Sequence, residues 1–487
     1  MRTPRFSSLR AALVRAALVR AALVRAALVR AALVRAALVL AATALAPTIG
    51  WTQASVAADS AIRAIIRARV DGGWNAGIVV GVIDADGHRR VIGYGPGLDG
   101  KQLDGKSVFE IGSISKTFTS TLLADMVRRG EVTLDQPVAS LLPASAKIPE
   151  RGGKRITLVD LATHTSGLPR MPGNFAPRDP ANPFADYDAT RMYAFLSGYE
   201  LPRDIGAQYE YSNLAVGLLG YALALKAGQS YEALLTTRIL DPLGMRDSRI
   251  TLTDGMRRRL APGHEPYGAV VANWDLDALA GAGAIRSTVD DMLTYLAANL
   301  DSTSRPLGAA MRDAHRPLRL AGGATQIGLN WHITTSNSHA LVWHNGGTGG
   351  YRTFAGFDEA RHIAVVVLSN TSTGVDDIGL HLLDAQRPIV TPPPLRKAIT
   401  VSAEVLDQYV GTYELVPAFR IAVSREGDVL WVQATGQDKM RVWAESNTAF
   451  FLKADDVQVI FSVDASGRAT GLVLRQSGRD QTLKRLP

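Results

Sequence analysis

The sequence contains no cysteine. That excludes a disulfide framework, a thiolate nucleophile, and zinc or iron–sulfur centres built on cysteine. Its nine histidines show no HExxH or comparable ligand spacing, so no metal and no other cofactor is called for. Acidic residues are missing from the first 58 positions, which hold eight arginines. Setting that segment aside removes the whole formal charge of +8 and leaves 45 basic residues against 45 acidic ones. A neutral body lacks the local excess of Lys and Arg needed to neutralise phosphates, and no nucleic-acid partner is expected. Nothing in the sequence sets an oligomeric state.

Charge-free apolar runs are also scarce at the N-terminus. From Arg10 to Arg35 the pentad AALVR repeats, and only from Ala36 does AALVLAATALAPTIG run uncharged to Gly50. Each arginine near the centre of a bilayer costs about 2.5 to 3.5 kcal/mol, so the repeat is not read as a membrane span. A five-residue step turns successive arginines by about 140° around a helix, which leaves no apolar face for a surface-lying helix either. The uncharged stretch reads as the hydrophobic segment of a signal peptide, with small residues at Ala54, Ala57 and Ala58 for cleavage. The expected mature chain starts near Ala58 or Asp59, is exported to the periplasm or secreted, and has no membrane span.

The chain has 487 residues, 47% apolar and 20% charged, a globular composition long enough for two folded units. A helical stretch to about Val70 precedes GIVVGVID (77 to 84) and HRRVIGYG (88 to 95). With Ala85-Asp86-Gly87 between them, these runs predict a hairpin. From about 113 to 310 the patterns are helical, and near 340 strands return with HALVWH, RTFAGFD and HIAVVVLSN. Strands at both ends with helices between predict one sheet built from the two termini of a domain, carrying a helical insertion. A proline-rich connector, TPPPLRK, follows, and then short alternating runs at about ten-residue spacing predict a small antiparallel barrel or sandwich. The expected units are a signal region (1–58), a catalytic domain (59–390), a linker (391–400) and a barrel (401–487).

The chemistry centres on GSISKTF. Ser113 and Lys116 stand three apart at the start of a predicted helix, on one face, so that the amine meets the hydroxyl. A lysine takes a serine proton only when its own pKa is lowered by a desolvated pocket. A lone S-x-x-K is a weak signal, although the ten lysines of this chain give only this match. Two companions strengthen it. GAQYEYSNLAVGLLG places Tyr211 and Asn213 at the mouth of a helix, a phenol to pass protons and an amide to orient a carbonyl. VWHNGGTGGYRTF places His344 and Gly346 on what reads as an edge strand, with the Gly347 N–H as an oxyanion donor.

In this order, S-x-x-K, Y-x-N and H-x-G in place of K-T-G, the chain resembles the superfamily of class C β-lactamases, penicillin-binding proteins, D-alanyl-D-alanine carboxypeptidases and family VIII esterases. LATHTSGLPR around His164, DPLGM at 241 to 245 and AGAGAIRSTVDDM add to the resemblance, which covers roughly 60 to 390. It implies an α+β, β-lactamase/transpeptidase-like fold: an antiparallel sheet flanked by helices plus a helical subdomain. It further implies a serine hydrolase acting through an acyl-enzyme on an ester, a D-amino-acid peptide or a β-lactam, with a small molecule or peptidoglycan-like substrate as partner. Ser113 would be acylated, Lys116 and Tyr211 would share the proton transfers, and Asn213, His344, Gly346 and Gly347 would bind substrate. His164 falls in a motif that resembles a structural element of the family. The alternative is a penicillin-binding or cell-wall-sensing protein that acylates with little turnover. The stretch from LDQYVGTYEL resembles the lipocalin-like barrel appended to some members. A neutral His344 where relatives carry lysine predicts weaker attraction for a substrate carboxylate.

Overall fold

A computed structural model describes residues 56–266, 268–301, 307–336, 339–390, 396–437, 439–452, 457–476 and 479–487. The AALVR repeats, the uncharged signal segment and the prolines of the connector lie outside the described residues. No helix among those described is long and apolar enough to cross a membrane.

The catalytic region is built on an eight-stranded antiparallel sheet. Its strands are β1 (Ile78–Ile83), β2 (Arg89–Tyr94), β3 (Arg319–Gly322), β4 (Thr325–Ile327), β5 (His332–Ser336), β6 (His339–Gly347), β7 (Arg352–Asp358) and β8 (Ile363–Ser369). They lie in the order β2-β1-β8-β7-β6-β5-β4-β3, so the first strands of the domain pair with the last. The expected hairpin is present, with Ile78 opposite Tyr94 and Ile83 opposite Arg89.

β1 and β8 are buried along their whole length, because helices cover both faces of the sheet. Alternation splits their side chains between two cores. Val79 and Val366 join one with Val289 and Leu293 of the helix Val289–Leu300. Val80 and Val367 join the other with Ile62 and Ile66 of the helix Asp59–Asp71.

The helical subdomain is organised around α1 (Ser115–Arg128), in which every residue from Ser115 to Met126 is buried. Its hydroxyls are satisfied by tertiary partners, as buried polar groups must be. Thr119 Oγ1 donates to the Gly281 carbonyl (2.7 Å), and Thr121 Oγ1 lies 3.1 Å from the Tyr295 hydroxyl. A neighbouring helix, α2 (Asn213–Ala227), is almost wholly apolar, and Ser212 caps it by accepting the Ala215 N–H at 2.9 Å.

Two sequence expectations shift. Regular α-helix begins at Ser115, and Ser113 sits in a preceding 3₁₀ turn, Gly112–Ile114. β6 is an inner strand rather than an edge, because β5 covers it from His339 to Trp343. Beyond Trp343 only β7 pairs with it, so His344–Gly347 is open on one side, and that open length faces the nucleophile turn.

The C-terminal strands close into an eight-stranded antiparallel barrel in which sequence neighbours pair. Closure comes from Gly411–Val416 against Arg479–Arg485, with Tyr413 opposite Arg485. Aromatic rings fill its interior: Tyr409 stacks on Phe461 at 4.3 Å and Phe450 meets the same ring edge-on.

Candidate active site

Lys116 connects three elements. Its Nζ lies 2.9 Å from Ser113 Oγ, 2.9 Å from Asn213 Oδ1 and 2.6 Å from the Ala282 carbonyl. The side chain is fully buried, and no carboxylate pairs with it among the described residues. Burial, reinforced by the charge of Arg170, holds its pKa well below the usual lysine range. A neutral amine has two N–H donors and one lone pair. When the amine is neutral, its two donors are taken by the carbonyl oxygens of Asn213 and Ala282, and the lone pair is left for the Ser113 hydroxyl.

Tyr211 precedes the capped start of α2, where Ser212 fixes the chain direction. Burial pushes its phenol up to about 12, while a hydrogen bond with Ser113 and the charge of Arg170 act in the opposite sense. The phenol is therefore neutral at physiological pH, a proton carrier rather than a resident phenolate. Lys116 Nζ and the Arg170 guanidinium lie 4.9 and 5.0 Å from its ring centroid.

The open end of β6 presses against the nucleophile turn. A Cβ on Gly346 would lie 2.0 Å from the Ile111 carbonyl oxygen, so only a hydrogen fits there. Gly112, at φ +51, is as close: a Cβ on it would lie 2.6 Å from the Gly347 nitrogen. Thr353 Oγ1 ties the two together by donating to the same Ile111 carbonyl at 2.9 Å. These contacts set the Gly347 amide beside the turn that carries Ser113.

His344 lies elsewhere than its motif suggests. Its ring is fully buried, and burial followed by the charges of His332 and Lys116 holds its pKa well below the ordinary value. It sits behind the cleft, 5.2 Å from the His332 ring and 6.3 Å from Tyr211.

The cleft itself encloses about 650 Å³ and is lined by Ser113, Tyr211, Asn213, Gly346 and Gly347. Five of the seven residues expected at the site thus meet in one cavity, and Lys116 supports it from beneath. Arg170 and Arg352 also line it, as do Phe175, Phe184 and Trp274. Arg170 is exposed and makes no ion pair among the described residues, and Arg352 donates to the carbonyls of Thr348 and Tyr351. Phe184 stands between Phe175 and Trp274, at 5.0 and 5.1 Å, forming an aromatic wall. Trp274 is pinned by its N–H to Glu110 Oε1 (2.8 Å) and its carbonyl to Arg286 Nη2 (2.6 Å). Arg170, Phe175 and Phe184 fall in the proline-rich stretch RMPGNFAPRDPANPFADYD (170 to 188), which the sequence marks as bordering the site without giving any residue of it a role; Arg352, within GGTGGYRTF, and Trp274 were not singled out.

A serine hydroxyl facing a desolvated lysine, between a sheet covered by helices on both faces and a helical subdomain, defines a serine hydrolase. The chain belongs to the β-lactamase family: the family profile described as Beta-lactamase matches residues 62–387. A second profile, a domain of unknown function (DUF3471), matches 395–485 and spans the barrel. The D-alanyl-D-alanine-carboxypeptidase/endopeptidase AmpH of Escherichia coli K12 is 32% identical over 336 residues, covering 63% of this chain and 85% of that protein. Penicillin-binding protein 4* of Bacillus subtilis is 27% identical over 437 residues, covering 81% and 91%. Among solved structures, the class C β-lactamase from Rhodobacter sphaeroides superposes with a TM-score of 0.56 at 25% identity, covering 64% of this chain and 94% of that one. The β-lactamase/D-alanine carboxypeptidase from Pseudomonas syringae gives 0.60 at 18% identity, covering 68% and 99%, a likeness of fold.

Proposed function

We propose that the chain is an exported acyl-enzyme hydrolase of D-amino-acid peptides, with β-lactams as acylating ligands of the same site. The observation that carries the mechanism is Lys116: a buried amine 2.9 Å from Ser113 Oγ, with no carboxylate partner among the described residues. Ser113 attacks the substrate carbonyl as its proton passes to the Lys116 lone pair. The oxyanion forms between the N–H groups of Ser113 and Gly347, whose proximity Gly112 and Gly346 enforce. Tyr211 relays the proton to the leaving amine, and Asn213 orients the substrate. Water then releases the acyl group by the reverse sequence.

Two arginines in the cleft support a substrate that carries a carboxylate, as a peptide C-terminus and a penicillin both do. The similarity to a D-alanyl-D-alanine carboxypeptidase and to a penicillin-binding protein supports the same class. The test is intact-mass spectrometry after mixing with a D-alanyl-D-alanine peptide, a penicillin and a p-nitrophenyl ester. A serine adduct that maps to Ser113, is absent from Ser113→Ala and turns over with the peptide is expected. An adduct that persists in Ser113→Ala overturns the assignment.

A further inference from the structure

His164 holds Tyr211 from three sides. Its carbonyl oxygen accepts the Glu210 N–H at 2.8 Å, and its Nδ1 accepts the Ser212 N–H at 3.1 Å. Its ring stacks on the Tyr211 ring, centroids 4.6 Å apart and planes inclined by 29°. The residue before the tyrosine, the residue after it and the phenol ring itself are all fixed by this one residue. The start of α2 does not need it, because the Ser212 side chain already caps that helix.

The arrangement is costly. His164 has φ +58, in the left-handed region that few non-glycine residues adopt, although histidine, like asparagine and aspartate, is among those that tolerate it best. Because Nδ1 accepts a hydrogen bond, the proton of the neutral ring is on Nε2, and Nε2 is buried with no partner among the described residues. Burial first, then the charges of Lys116, His332 and Arg170, keeps the ring neutral. A positive φ and an unpaired buried donor thus fall on the one residue that contacts both flanks and the ring of Tyr211. Proton transfer is sensitive to misplacement on the ångström scale, and among the described residues the Tyr211 hydroxyl has no hydrogen-bonded tether besides Ser113.

We propose that His164 is the positioning residue for Tyr211: it sets the phenol against Ser113 through its imidazole and its own peptide, without touching substrate. This rests on the part given to Tyr211 in acyl transfer above.

A double-mutant cycle with Tyr211→Phe tests it, using turnover of a p-nitrophenyl ester. His164→Gly accepts the left-handed backbone and keeps the carbonyl, but removes both ring and acceptor. His164→Asn also tolerates that backbone and returns an acceptor for the Ser212 N–H. His164→Gly is expected to lower kcat by about tenfold to a hundredfold with KM changed less than about twofold, and His164→Asn to recover most of the loss. In Tyr211→Phe, which is itself slow, adding His164→Gly is expected to change kcat by less than about twofold. Multiplicative losses, a loss confined to KM, or wild-type kcat in His164→Gly beside a slow Tyr211→Phe would overturn the clamp. Wild-type kcat in Tyr211→Phe removes the role given to Tyr211 and the clamp with it. If His164→Gly does not fold, the same cycle is run with His164→Asn and Tyr211→Phe, where independent losses overturn the proposal.

Discussion

Lys116 Nζ stands 2.9 Å from Ser113 Oγ across a join between two kinds of helix, the serine in a 3₁₀ turn and the lysine in the first turn of α1. The i,i+3 relationship survives the change of helix type because 3₁₀ geometry stacks such positions even more closely.

The acid limb of the pH profile follows from this pair. A lysine acts as a base only when neutral, and burial together with Arg170 lowers its pKa. Activity is therefore retained well below pH 10.4, the ordinary lysine value of about that size, and falls as pH drops through the lowered pKa. Arg170→Ala removes one lowering influence, so the acid limb of kcat/KM is expected to move to higher pH. A limb that stays in place means that Arg170 does not act on Lys116.

Gly346→Ala tests the close approach of β6 to the nucleophile turn. The added methyl would meet the Ile111 carbonyl at 2.0 Å and Thr353 Oγ1 at 2.3 Å, both held in place. Relief requires β6 to retreat, taking the Gly347 N–H with it. We expect a destabilisation of about 1 to 3 kcal/mol and a loss of about 10²-fold in kcat, the size seen when one oxyanion donor is lost. Thermal unfolding and single-turnover acylation separate the two effects.

Packing, as well as small residues, limits where a signal segment can be removed. Val56 is 4% exposed and lies in the core with Ile62, Ile66 and Ile92. Arg90 also donates to the Ala57 carbonyl at 3.2 Å. Cleavage before Ala58 or Asp59 would remove Val56, whose burial contributes up to about 1.5 to 3 kcal/mol. The start is therefore expected at Ser55, after Ala54, and N-terminal sequencing of envelope protein decides it. A chain that still carries AALVR repeats would refute export with cleavage.

Elements with a local cause were legible in the sequence. The hairpin around Asp86-Gly87 and the alternating strands of the barrel follow from turn chemistry and period, and Ser113, Lys116 and Tyr211 from spacing and motif. What depended on tertiary approach was not. The Ala282 carbonyl that receives the lysine is a backbone atom, and no side chain marks it. Barrel closure depends on Tyr413 meeting Arg485, 72 residues apart in numbering and invisible to a local pattern. The third motif named His344 but not its depth, because alternation along β6 does not say which face meets solvent and which meets Lys116.

That depth decides how the cleft handles a carboxylate. A lysine in place of His344 was expected to attract one, but this site is fully buried. An ammonium there would face the full desolvation cost of burial. His344→Lys is thus expected to lose stability and activity on every substrate, without favouring penicillins over esters. The more exposed of the two cleft arginines is Arg170. At about 4 Å and an effective dielectric near 20 one charge is worth roughly 4 kcal/mol before screening, and exposure reduces that severalfold. Arg170→Ala should lower kcat/KM for a penicillin or a D-alanyl-D-alanine peptide about tenfold relative to a neutral ester, at a pH where Lys116 is neutral in both proteins. The wild-type preference should also shrink as salt is raised. If the ratio is unchanged in Arg170→Ala and falls in Arg352→Ala, the carboxylate lies against the β7 side of the cleft.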